Sequence, residues 1–147
     1  MSSTHLSLHY HLIFGTKDHE PLIAPTWRSR LHAYMGGILS SLDVVPEIVG
    51  GVEDHIHILA GLRATHCLAD VLREMKSSSS RWVHEEIRLP TFAWQEGYGA
   101  FTVSASQRET VRCYIEGQEE HHRTRTFKEE YLGLLQKSGV IFDPRYL

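Results

Sequence analysis

Val44-Val45-Pro46-Glu47-Ile48-Val49-Gly50-Gly51-Val52-Glu53-Asp54-His55-Ile56-His57-Ile58-Leu59-Ala60 is the stretch that decides the fold. Val44 to Val49 reads as a short strand, Gly50-Gly51 as a turn, and residues 52 to 60 as a second strand, which together predict a hairpin. Strand side chains alternate, so Asp54, Ile56, Ile58 and Ala60 share one face while His55, His57 and Leu59 share the other.

A helix is predicted on each side of this hairpin. Before it, from Thr26 onward, Leu31, Tyr34, Met35, Ile38, Leu39 and Leu42 recur at spacings of three and four. After it, Leu68, Val71, Leu72, Met75, Ser79, Trp82 and Val83 form one stripe that stops short of Pro90. Farther out lie two more strands. Residues 6 to 14 place Leu6, Leu8, Tyr10, Leu12 and Phe14 opposite Ser7, His9, His11 and Ile13, the pattern of a half-buried strand. Gly97 to Gly99 lead into the other, Ala100 to Ser104. The order β-α-β-β-α-β predicts an α+β, ferredoxin-like fold, one antiparallel sheet with helices on one face. Two capping boxes then open C-terminal helices. Ser106 to Glu109 begins one of about four turns, the usual length. Thr126 to Glu129 begins a shorter one bearing Tyr131, Leu132 and Leu135, ended by Gly139.

The 147 residues suit a single domain, 1–147, with its own core. Two cysteines, Cys67 and Cys113, make neither a disulfide framework nor a zinc motif, which favours a reducing cytoplasm. The first residues lack the basic and apolar regions of a signal peptide, and no apolar run is long enough to span a bilayer. A net charge of −3 argues against a protein that coats nucleic acid nonspecifically, but affinity depends on where the basic groups sit. Eleven histidines are many for this length.

His55 and His57, two apart on a strand, can both reach one metal ion. The competing reading is a polar pair on the solvent face of the strand. His9-Tyr10-His11 has the same spacing, on a strand that neighbours the third in a ferredoxin-like sheet, so position does not choose between the pairs. Tyr114 and Gln118 are four apart and project side by side from the first capped helix. A phenol can act as a covalent nucleophile when a cation favours its ionised form, and a glutamine carbonyl can complete a hard cation's coordination. A tyrosine on the apolar face of Val111 and Ile115 is otherwise a packing residue.

Several motifs in order resemble the HUH single-tyrosine transposases of bacterial insertion sequences, the IS200-like family with its repetitive-palindrome-associated relatives. They are Tyr10-His11-Leu12-Ile13-Phe14-Gly15-Thr16-Lys17, Asp54-His55-Ile56-His57, Lys76-Ser77-Ser78-Ser79-Ser80-Arg81-Trp82, Trp94 to Ser104, and Tyr114-Ile115-Glu116-Gly117-Gln118-Glu119-Glu120-His121-His122. The resemblance implies that His55 and His57 are metal ligands, Gln118 the third ligand and Tyr114 the nucleophile, with His9-Tyr10-His11 in a supporting role. It implies Mg²⁺ or Mn²⁺, hairpin-forming single-stranded DNA as substrate, a 5′-phosphotyrosine intermediate, and a homodimer in which one subunit's tyrosine helix can serve the other's metal site. Two features depart from the pattern: Gly117 inside the nucleophile helix, and Asp18-His19-Glu20 where the family is usually basic. Arg73, Lys76 and Ser80 with Arg81, and separately Arg123, Arg125 and Lys128, are the candidate phosphate contacts. The alternatives are a domesticated or inactive relative that binds host-repeat DNA or RNA, a metal-dependent hydrolase using water, which lacks further acidic ligands because Asp54 faces away from the histidines if the strand is regular, and a nucleic-acid-binding module stacking bases on its sheet.

Overall fold

The computed structural model describes residues 3–147; Met1 and Ser2, the start of the segment read as lacking a signal peptide, lie outside the described residues. The elements are β1 (His9–Gly15), α1 (Pro25–Ser41), β2 (Val45–Gly51), β3 (His55–Gly61), α2 (Leu68–Trp82), β4 (Gly99–Val103), α3 (Arg108–Glu116), α4 (Gln118–His121) and α5 (Phe127–Lys137). The four strands form one antiparallel sheet in the order β2-β3-β1-β4, the ferredoxin-like arrangement expected from the sequence.

On one face Leu12, Phe14, Ile56, Ile58 and Ala60 pack against Leu31, Met35 and Leu39 of α1 and Val71, Leu72 and Met75 of α2. The other face is covered too. Leu59 and Val103 pack with Ile115, Val111 and Tyr114 of α3. Residues 55 to 60 of β3 are therefore all buried, so the reading of His55 and His57 as solvent-facing polar residues is excluded. Gly50 makes this second layer possible: a Cβ there would meet Ile115 Cγ2 at 2.8 Å and its carbonyl oxygen at 3.0 Å.

The structure moves several boundaries. Leu6 and Leu8 precede β1, and Leu6 is exposed, because the registers with β3 and β4 both end at His9. The hairpin turn lies at residues 52–54, not at Gly50-Gly51. Gly50 and Gly51 stay paired with His57 and Ile56, and Gly51 takes the φ of +149° that the approach to the turn requires. The Ser106–Glu109 capping box is absent: Ser106 sits in a 3-10 turn, Ala105–Gln107, and its hydroxyl meets that of Ser104. The helix it was to open runs only from Arg108 to Glu116 and breaks at Gly117, where an α-helix bears the cost of glycine's backbone freedom. The Thr126–Glu129 capping box forms at the start of α5, and Gly139 lies two residues beyond its last helical residue with φ +69°.

Candidate functional site

β3 supplies two fully buried imidazoles, and each ring is held from behind. His55 Nδ1–H donates to Asp54 Oδ1 at 2.7 Å, and His57 Nδ1 shares a hydrogen bond of 2.7 Å with His11 Nε2. Asp54 does not face away from the histidines: it lies in the turn, off the regular strand, and folds back onto the ring beside it. His11 holds the His57 ring from behind, whereas His9 lies 3.7 Å from Glu47, outside the cluster. Both Nε2 atoms face the space beneath α4 and α5.

Glu130 of α5 occupies that space. Its Oε1 lies 2.9 Å from His57 Nε2, 3.1 Å from His122 Nε2 and 3.3 Å from His55 Nε2. Its Oε2 accepts from the Tyr114 hydroxyl and, at 3.1 Å, from Gln118 Nε2. Gln118 Oε1 stands 3.0 Å from His55 Nε2 and 3.1 Å from His122 Nε2. Tyr114, Gln118, His55 and His57, scattered over 63 residues of sequence, thus converge within one chain. The helix break at Gly117 leaves Tyr114 and Gln118 donating to the same carboxylate oxygen. Phe127 stacks on His55 with ring centroids 4.2 Å apart and planes 8° from parallel, which closes the site from the α5 side.

The charges follow from this packing. Burial would lower His55, but its hydrogen bonds to Asp54, Glu130 and Gln118 and the charge of Glu130 outweigh it and raise the imidazole to about 9. Both of its nitrogens face oxygen acceptors, as an imidazolium requires. Burial dominates at His57 and His11, which are lowered to about 4 and about 3 and stay neutral. Glu130 is driven up by burial but held well below the carboxylate range by hydrogen bonds from His122, His55 and His57. The Tyr114 phenol is pushed up by burial and then by its bond to Glu130, with Gln118 and Arg125 opposing weakly.

The ligand atoms of His55, His57, His122 and Glu130 lie within 4.8 Å of one another, a donor set able to hold a metal ion. Anchored second nitrogens are what metal-binding histidines ordinarily have. Imidazole and carboxylate donors together suit a divalent cation of intermediate hardness. His122 and Glu130 were not singled out from the sequence as ligands. His122 stands at the end of the tyrosine motif, whereas Glu130, 73 residues from His57, carries no local signal beyond an acidic residue in a helix's first turn.

The candidate phosphate contacts divide by layer. Arg123 and Arg125 line a hollow of about 350 Å³ together with Asp54, His122 and Phe127, beside the cluster. Arg73 and Arg81 are on α2, across the sheet, and Arg73 is paired with Asp70 at 2.8 Å. Lys76 turns to the segment before β4. Its ammonium donates to the carbonyls of Gln95, Glu96 and Gly97 at 2.9, 3.3 and 2.6 Å, and burial lowers it to about 8. Ser79 of the same motif accepts from Trp94 Nε1 at 2.9 Å.

The fold is that of solved transposases. A protein from Deinococcus radiodurans R1 described as a transposase superposes with a TM-score of 0.65 at 22% identity, over 80% of this chain and 95% of that one. A structure described as the REP-associated tyrosine transposase bound to a REP hairpin superposes with a TM-score of 0.55 at 11% identity, over 80% of this chain and 70% of that one. Residues 4–118 match the family model described as transposase IS200 like, and the chain belongs to that family. Among curated proteins, none matches. Glu130 and His122 lie beyond the matched residues. Among the described residues, no helix is long and apolar enough to cross a membrane.

Proposed function

We propose that this chain, acting as one catalytic domain, cuts and rejoins hairpin-bearing single-stranded DNA through a 5′-phosphotyrosine at Tyr114, with a divalent metal. The observation that carries this reading is the meeting of the Tyr114 hydroxyl with His55, His57 and Gln118 around the Glu130 carboxylate. His55, His57 and Gln118 would hold the cation, with His122 at its edge and Glu130 as a further ligand only while α5 is closed. Bound there, Mg²⁺ or Mn²⁺ would neutralise charge developing on the phosphate and offset the carboxylate charge that keeps the phenol protonated.

The deprotonated Tyr114 oxygen attacks phosphorus, forming the Tyr–O–P bond and breaking the bond to the 3′ oxygen, which takes a proton from solvent and leaves as a 3′-hydroxyl. In the closed site Glu130 Oε2 holds the phenolic proton on Tyr114, and withdrawal of the carboxylate with α5 frees the hydroxyl to lose that proton to solvent. The reverse attack by a 3′-hydroxyl rejoins DNA without an external energy source, because the phosphoester is conserved. His55 and His57 are fully buried, so a phosphate enters only when α5 draws Glu130 and Phe127 aside. Arg123 and Arg125 line the side on which it would enter. The neighbour bound to a REP hairpin supports hairpin DNA as the substrate class. Since the phenol and imidazoles meet within one chain, a homodimer would serve to hold two DNA ends, not to complete the site. A cytoplasmic setting, where such DNA is found, belongs to the same reading.

The test is incubation of the purified chain with hairpin-bearing single-stranded DNA and Mn²⁺, followed by a denaturing gel. Wild-type protein should form a covalent adduct; Tyr114→Phe should form none yet still bind DNA, and His57→Ala should lose metal-dependent cutting. An adduct with Tyr114→Phe, or undiminished cutting with a chelator present, overturns the reading.

A further inference from the structure

A second cavity lies beside the cluster and plays no part in the chemistry above. It is bounded by the first half of α1, by β2 at the edge of the sheet, and by the α3–α4 junction, and has a volume of about 360 Å³. That is near the lower end of small-molecule sites, roughly 300–1,000 Å³, and suits a single nucleoside better than a duplex. Gln118 lines it, and the same amide bonds His55 and His122, so cavity and cluster are separated by one side chain.

Its polar groups select against phosphate. Glu116 and Glu119 stand exposed at the rim, facing a single guanidinium, Arg28. Arg28 is largely committed: Nε and Nη2 donate to Ile23 O at 3.3 and 2.8 Å, and Nη1 lies 3.6 Å from Glu119. His32 Nε2 is buried with no hydrogen-bond partner among the described residues. Desolvation, with the Arg28 charge adding to it, lowers this imidazole to about 4, so it is neutral and its Nε2 can donate to a ring acceptor or accept, according to the tautomer. Carboxylate acceptors at the rim and a neutral imidazole inside complement the edge of a nucleobase that carries an exocyclic amine beside a ring acceptor. Carboxylates accept from such amines, as from cytosine N4. Thymine has no amine to offer. The apolar walls, Ile48, Val49 and Ile115, supply the faces against which a flat ring packs.

We infer that this cavity is a nucleobase subsite for an unpaired, amino-bearing base of the strand whose phosphate reaches the cluster. The inference rests on the DNA-cutting reading for its substrate, but its test reads no cleavage. Deoxycytidine, deoxyadenosine and thymidine are titrated separately into the metal-free protein while the His32 imidazole and the Ile48 and Ile115 methyl resonances are followed by NMR. Deoxycytidine and deoxyadenosine should shift these signals saturably, with thymidine about tenfold weaker, the ratio that one lost hydrogen bond gives. Ser29→Trp, at an exposed rim position, should fill the cavity and abolish the shifts with the remaining methyl spectrum unchanged; His32→Ala should keep weak binding but lose the discrimination. Shifts that bypass His32 and Ile115, thymidine binding as tight as deoxycytidine, or titrations unaltered by Ser29→Trp would each overturn the inference. A protein that forms no adduct on Tyr114 could still bind these nucleosides, and a protein that ignores them could still cut, so the two readings fail separately.

Discussion

At the scale of single residues, the cluster is an ionic network complete in the protein itself. An ionised carboxylate with almost no solvent contact is tolerated only when paired and hydrogen-bonded, and Glu130 has three imidazoles, a phenol and an amide around it. The raised His55 gives the metal-free protein a pH signature. Its contribution to stability is complete below the ordinary histidine value of about 6.5 and is lost as pH climbs through about 9. The same proton competes with a metal for Nε2. Mn²⁺ affinity, measured by calorimetry, should therefore tighten by up to about tenfold per unit between about pH 6 and 8 in wild-type protein, because binding releases that proton. A flat profile would show that His55 is already neutral.

At the scale of elements, two devices bring the tyrosine and the glutamate to the sheet. α3 sits close because Gly50 has no side chain, so Gly50→Val should force Ile115 away at a cost of about 1–3 kcal/mol and carry Tyr114 with it. The expected outcome is a lower Tm and an adduct rate reduced more than Mn²⁺ binding, since β3 and its histidines stay in place. α5 starts at Thr126, whose hydroxyl accepts from Glu129 N while Glu129 caps in return. Thr126→Ala removes about 1 kcal/mol of capping. Hydrogen exchange in α5 should rise while exchange in the four strands stays unchanged; uniform destabilisation would mean that α5 does not open by itself.

At the scale of the whole molecule, the net charge of −3 leaves little long-range attraction for DNA, so binding must draw on local groups. If Arg123 and Arg125 are the phosphate contacts beside the cluster, the slope of log affinity against log salt for single-stranded DNA is about −1.4, near −0.7 per contact. Arg123→Ala should flatten it by about 0.7, whereas Arg73→Ala, across the sheet, should leave it unchanged; the opposite pattern would move the DNA to the α2 face.

The strand and helix order and the ferredoxin-like sheet could be read from the sequence, because alternation and periodicity are local properties of the chain, and motif order brought out His55, His57, Tyr114 and Gln118 as candidates. Even there, the Ser106 cap failed, since side-chain capping depends on where the preceding strand delivers the backbone. The part of Glu130 and His122 could not be read, nor the burial of both sheet faces, the return of Asp54 onto His55, or the commitment of Lys76 to backbone carbonyls. Each depends on two segments far apart in the chain packing together, and a carboxylate becomes a partner of three imidazoles only once a helix folds across them.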